Sequence, residues 1–171
     1  MTWDLYNKNS ELVGEVIDET SNDDIPDGLY HMTVNCWIIN SKKQVLLLKK
    51  KLNFNLRYPG LWTSINGNVK AGDTPLNCVI DTIKSKIGVD IDVKNLVDLG
   101  KEVRDPHHYI FNTFIVFVDL DLNQLKLNEE FVSKVKWADI MEIDNMINNG
   151  EMELPLVPRI EKYIKKYLET I

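Results

Sequence analysis

Between Gly67 and Val89 the chain follows a glycine turn with Asp73, Asp81, Thr82, Ser85 and Lys86, the last four at spacings that a helix can use. Leu76, Val79, Ile80, Ile83 and Ile87 recur at helical intervals, which predicts an amphipathic helix from Pro75 to Gly88. Asp73 or Thr74 is placed to cap it, Pro75 suits its first turn, and Gly88 suits its C-terminal stop. Positions three and four apart are neighbours on a helix, so Thr82, Ser85 and Lys86 share a face, with Asp81 next to Thr82. Thr82, Ser85 and Lys86 give that face two hydroxyls and an ammonium.

Three other groups carry chemistry. Asp105-Pro106-His107-His108-Tyr109 holds two of the three histidines at the start of a predicted strand. Adjacent strand residues point to opposite faces, so the pair is not expected to ligate one metal; one histidine is expected to face a pocket and the other the surface. Lys49-Lys50-Lys51 and Arg57, with Phe54 and Tyr58 nearby, lie ahead of Pro59-Gly60. A phosphate contact and an ordinary charged loop are both open there. Glu102 and the pair Glu129-Glu130 are further acids, the pair reading equally well as solvated surface.

The stretch from Gly67 to Val89 resembles the Nudix box. That motif is a glycine, five residues, a glutamate, seven residues, then R-E-U-x-E-E-x-G-U, with U a bulky aliphatic. Gly67, Asp73, Ile83, Gly88 and Val89 stand in register for the glycine, the first acid, the aliphatic, the second glycine and the last aliphatic. Pro59-Gly60-Leu61-Trp62, the run from Val69 to Leu76, and Val135-Lys136-Trp137 are similar to the family as well. Trp3-Asp4-Leu5-Tyr6 and Gly28-Leu29-Tyr30-His31 resemble the branch related to isopentenyl-diphosphate isomerase. The resemblance spans nearly the whole chain and implies an α+β Nudix fold, a mixed sheet sandwiched between helices, with residues 1–28 as a hairpin extension and 155–171 as a C-terminal helix.

It also implies hydrolysis of nucleoside diphosphates linked to another group, with magnesium held by the box glutamates. Here the R-E-U-x-E-E positions read Asp81, Thr82, Ile83, Lys84, Ser85 and Lys86. The family's four charged positions sum to −2, whereas Asp81, Thr82, Ser85 and Lys86 sum to zero. The arginine that normally pairs with the acid after the glycine loop is missing too, since Asp73 and Asp81 are like charges. No metal is therefore expected at the box. Magnesium enters only in an alternative in which acids outside it, Glu102 or Glu130, serve an active hydrolase. The resemblance makes Gly67, Arg57, His107 and His108 the expected ligand contacts. Isomerase chemistry needs a cysteine in the short strand after the tryptophan, and Trp62-Thr63-Ser64-Ile65-Asn66 has no thiol.

The elements that must position these groups follow from pattern and turn chemistry. Trp3–Tyr6 and Leu12–Ile17 flank Asn7-Lys8-Asn9-Ser10 and predict a hairpin; Tyr30–Ile39 and Gln44–Lys49 predict a second. Leu61–Val69, Leu96–Val103, Tyr109–Leu120 and Val135–Ile140 read as further strands. Met141–Asn148 and the segment from Pro155 onward read as helices, the latter with Val157, Ile160, Ile164, Tyr167 and Ile171 on one face and Lys162, Lys165 and Lys166 toward water.

The 171 residues suffice for one ordinary domain with a core that needs no disulfide. Cys36 and Cys78 are far apart and read as free thiols. A net charge of −6 disfavours general nucleic-acid binding. The longest apolar runs are too short to span a bilayer, and the expected location is cytoplasmic. The leading expectation is a non-catalytic or weakly active Nudix protein binding a small phosphorylated or nucleotide-like ligand; a protein partner and a homodimer remain open.

Overall fold

A computed structural model describes residues 1–170. Its frame is two strands so apolar that both their faces must be covered, β3 (His31–Ile39) and β4 (Val45–Lys50). Alternation along them divides the core. Val34, Cys36, Ile38, Leu46 and Leu48 pack toward helix α1 (Pro75–Ile87) with Val79, Ile83 and Ile87. Trp37, Ile39, Val45 and Leu47 pack the other way, against Ile143 and Met146 of α2 (Ile140–Asn148) and Ile160, Ile164 and Leu168 of the C-terminal helix. The result is the expected sheet between helical layers.

The other strands are β1 (Thr2–Tyr6), β2 (Leu12–Asp18), β5 (Trp62–Thr63), β6 (Ile65–Asn68), β7 (Leu96–Arg104), β8 (Tyr109–Phe117) and β9 (Val132–Ala138). β1 and β2 form the predicted hairpin as a separate two-stranded sheet. It is fastened to the glycine loop: Ala71 donates its backbone N–H to the Thr2 carbonyl at 2.8 Å, and Gly72 donates to Asp4 Oδ2 at 2.7 Å. The seven remaining strands make one mixed sheet in which β3 runs parallel to β8, and β8 antiparallel to β7.

The second predicted hairpin is only partly formed. Its turn brings Ile39 opposite Val45, after which β3 and β4 separate. β3 pairs instead with β6, from Thr33↔Asn68 to Cys36↔Ile65, while β4 pairs with β5 and β9. Residues 62–68 thus cross from one strand to the other and hold open a gap in the sheet. Backbone donors and acceptors must be satisfied somewhere, and here the crossing segment supplies what the two strands deny each other.

Helix α1 is held as its sequence indicates. The Thr74 hydroxyl accepts from the Asn77 backbone N–H at 3.2 Å, and Gly88 closes the helix at φ 74°, a left-handed conformation suited to glycine. β9 stops at Ala138 and Ile140 begins α2, so the strand ends before the predicted Ile140. The C-terminal helical run consists of Val157–Arg159, a wider π segment Ile160–Lys165, and Lys166–Thr170. Ile171, expected on its apolar face, lies outside the described residues. Among the described residues no helix is long and apolar enough to cross a membrane.

Candidate functional site

The gap between β3 and β4 opens into a groove on the sheet face that the C-terminal helix covers. Its floor is the N-terminal ends of two parallel strands: Thr33 and Val34 from β3, Tyr109 and Phe111 from β8. Asn66, Gly67 and Asn68 of the crossing segment form one side, Lys50, Arg57 and Tyr58 another, and Glu153, Pro155 and Arg159 the roof. This part measures about 310 Å³. It continues past His107 and Tyr109 into a wider mouth with Trp3, His31 and His108, and inward, past Lys50, Arg57 and Asn66, into a cavity of about 210 Å³ reaching Lys86 of α1.

The roof is placed by a strand-like contact. Trp62 donates its N–H to the Glu151 carbonyl at 2.8 Å, and Glu153 donates its own to the Trp62 carbonyl at 3.1 Å. This points the Glu153 carboxylate inward, where it is buried, ion-paired with Lys50 and accepts from the Thr63 hydroxyl at 3.1 Å. Lys50 also donates to the Arg57 carbonyl at 2.8 Å, which draws the loop before Pro59 over the groove. Arg159 is buried as well; its guanidinium carbon stands 3.3 Å from the Phe111 ring centroid and Nη1 donates to the Pro155 carbonyl at 2.6 Å.

The box residues occupy the opposite wall. The Thr82 hydroxyl donates to the Cys78 carbonyl one turn back, at 2.7 Å, and packs against Gly67 so closely that a Cβ there would sit 2.5 Å from Thr82 Oγ1. Gly67 is therefore needed for close approach of loop and helix. Asp81 and Ser85 are exposed, and Asp73 accepts the N–H of its neighbour Thr74 at 2.8 Å. Lys86 turns inward. Among the described residues its ammonium makes no hydrogen bond or ion pair and stands 4.9 Å from the Phe131 ring centroid. Burial lowers its pKa, the nearby Lys50 charge lowers it further, and Glu153 pulls the other way.

A scan against family models matches the NUDIX domain to residues 29–164. The chain belongs to the Nudix family. Isopentenyl-diphosphate Delta-isomerase from Escherichia coli is 28% identical to this Nudix chain over 121 residues, covering 68% of it and 66%, just under two thirds, of the relative's length. The DR0079 structure from Deinococcus radiodurans matches with a TM-score of 0.76 at 20% identity, covering 95% of this chain and 98% of that one. The NUDIX domain of Shewanella oneidensis NrtR, solved with ADP ribose, matches at 0.63 and 15% identity, covering 88% and 99%. At those identities the structural matches show the fold.

The groove therefore gathers Arg57, Gly67, His107 and His108 from the sequence reading, with Lys86 at its inner end. The strand argument for the histidines does not apply. Residues 105–107 form a short turn and His108 is left-handed at φ 53°, so β8 begins only at Tyr109. His107 stacks on Tyr109 at 5.5 Å, and His108 Nδ1 lies 3.3 Å from the Leu29 carbonyl. Glu102 does not line the groove: it binds Lys162 and the Tyr163 hydroxyl, which lower its pKa. Glu129 and Glu130 are exposed in the turn before β9. In the sequence Lys50 reads only as part of a basic run, and Glu153 and Arg159 belong to no motif. The available signal was an acid between Met152 and Pro155, and an arginine beside Ile160 on an otherwise apolar helix face.

Proposed function

We propose that this Nudix protein binds a small phosphorylated or nucleotide-like ligand in the groove and hydrolyses it weakly or not at all. The observation that carries the reading is the cationic lining of the groove's inner end, Lys49, Lys50, Arg57 and Lys86, beside a glycine loop and the polar groups of Thr63, Ser64 and Asn66. Such a lining attracts phosphate oxygens and repels a divalent cation. ADP ribose bound to the NrtR domain, and the name of the Ap4A hydrolase from C. elegans that also shares the fold, support a ligand of this class.

The residues do not fit the magnesium that the family implies. Magnesium takes oxygen ligands, mostly carboxylate, phosphate and water, at octahedral positions. Thr82 spends its proton on Cys78, Ser85 faces solvent, and Lys86 brings a positive charge to the same face. Among the described residues no three His, Cys, Asp or Glu side chains gather as a metal-holding group. Isomerase chemistry is not carried over from the relatives either. Cys36 is buried within β3 with its thiol pKa pushed up by burial, and Cys78 lies on α1 donating toward the Asn68 carbonyl at 3.4 Å.

A second reading, an active hydrolase drawing its acid from outside the box, rests on Glu153, whose carboxylate lines the groove while Glu102 and Glu130 do not. One experiment separates the two. Nucleoside diphosphate derivatives are offered to the native protein with Mg²⁺ or with a chelator, next to a variant carrying Asp81→Arg, Thr82→Glu, Ser85→Glu and Lys86→Glu. Silence of the native protein and turnover by the variant are expected. Chelator-sensitive turnover by the native protein, abolished by Glu153→Gln, would overturn the binding reading in favour of the second.

A further inference from the structure

The groove's inner cavity sets several cations beside apolar side chains. Its lining carries four cationic side chains and no acid, beside Leu48, Leu56, Phe131 and Val132; Arg57 stands exposed at its entrance, whereas Lys49, Lys50 and Lys86 are partly buried. Of these cations Lys50 is ion-paired with Glu153, whereas Lys86, among the described residues, makes no hydrogen bond or ion pair and stands over the face of Phe131. A half-buried ammonium without an acceptor has lost hydration that nothing in the protein returns. An anion in the cavity would return it, and would do so with interactions strengthened by the apolar surroundings.

The position of Lys86 gives that anion an identity. It lies four residues after Thr82 on the helix wall that faces Gly67, within reach of the same cavity as Arg57 and Asn66. We infer that the Lys86 ammonium takes the place of a divalent cation at this wall, so that the site grips a diphosphate directly and needs no metal to do so. Arg57 and Lys50 then contact the phosphate oxygens from the opposite side, with Asn66 and Ser64 as neutral hydrogen-bonding partners. One fixed positive charge replaces a mobile doubly charged ion: enough to hold the anion, with no coordinated water to attack it.

This deepens the binding reading above and rests on it. The test is titration calorimetry of the full chain with inorganic pyrophosphate, in EDTA and separately in excess Mg²⁺. Saturable binding is expected in EDTA, weakened several-fold by Mg²⁺ because the metal competes for the same oxygens. Lys86→Met should lower affinity at least tenfold, and Lys86→Arg, which keeps the charge, should recover most of it. A matching thermal melt for each variant shows that the fold is unchanged. Binding that appears only with Mg²⁺, or that is equally tight in Lys86→Met, would overturn the inference while leaving ligand binding intact. Absence of binding in both buffers would overturn it as well. Hydrolytic turnover by the native protein would instead strike at the reading beneath it.

Discussion

The two walls of the groove handle charge differently. On the C-terminal wall Glu153 is buried and its charge is met by Lys50 and the Thr63 hydroxyl. On the α1 wall Lys86 is half-buried and, among the described residues, meets only an aromatic ring. A buried charge with its partner is part of the structure, and removing either member strands the other. A partly buried charge without one weakens the fold slightly and is explained by what it binds. On the proposed reading, the Lys50–Glu153 pair belongs to the architecture and Lys86 to the ligand.

The largest effect tests the architectural half. Glu153→Ala leaves the Lys50 ammonium without its carboxylate, and removal of one partner from a buried pair costs about 3 kcal/mol or more. Urea denaturation should show that loss, and Glu153→Met combined with Lys50→Met should recover much of it. A Glu153→Ala protein within about 0.5 kcal/mol of the native one, the range of ordinary surface substitutions, would mean that both walls are solvated and the contrast is empty.

How far each wall could be read beforehand follows from the same physics. The α1 wall is local: a capping threonine, a proline in the first turn, apolar residues at helical spacing and a closing glycine sit within one short stretch, and of these only Leu76 misses its expected place, standing exposed at the first turn while Val79, Ile80, Ile83 and Ile87 pack into the core. The C-terminal wall is made by pairing between residues nearly a hundred apart, Trp62 with Glu151 and Glu153, which no local pattern encodes. The same limit explains the second hairpin. The turn at Asn40 to Lys43 is legible, but whether β3 and β4 stay together beyond it depends on the crossing segment 62–68. Arg159 was hidden by its helix, since a periodic apolar face absorbs one charged neighbour without losing its pattern. Site legibility thus tracked sequence distance.

A middle-sized effect sharpens the α1 half. Gly67→Ala places a methyl 2.5 Å from Thr82 Oγ1, and Thr82 is tied to its own helix by the bond to the Cys78 carbonyl. Overpacking of this kind costs about 2 kcal/mol. Thr82→Ala in the same chain removes the obstructing hydroxyl and should restore most of the stability in a thermal melt. A Gly67→Ala protein as stable as the native one would show that loop and helix are free to separate, and that the wall is not fixed in place.

The smallest effect has the opposite sign, which makes it the sharper test. Lys86→Met keeps the length and apolar stem of the side chain but removes a charge that is poorly hydrated, so the variant should be as stable as the native protein or more so, by up to about 1 kcal/mol. The pH dependence follows from the lowered pKa of Lys86, caused first by burial and then by Lys50. The unfolded chain holds that proton more tightly than the folded one, so the penalty is complete below the folded pKa and fades as pH rises through it toward the ordinary lysine value. The advantage of Lys86→Met over the native protein should therefore be greatest near neutral pH and shrink in alkali, read as the difference between two urea titrations. If the variant is instead less stable at neutral pH, Lys86 holds the helix in place as Lys50 holds the other wall, and the two walls are alike.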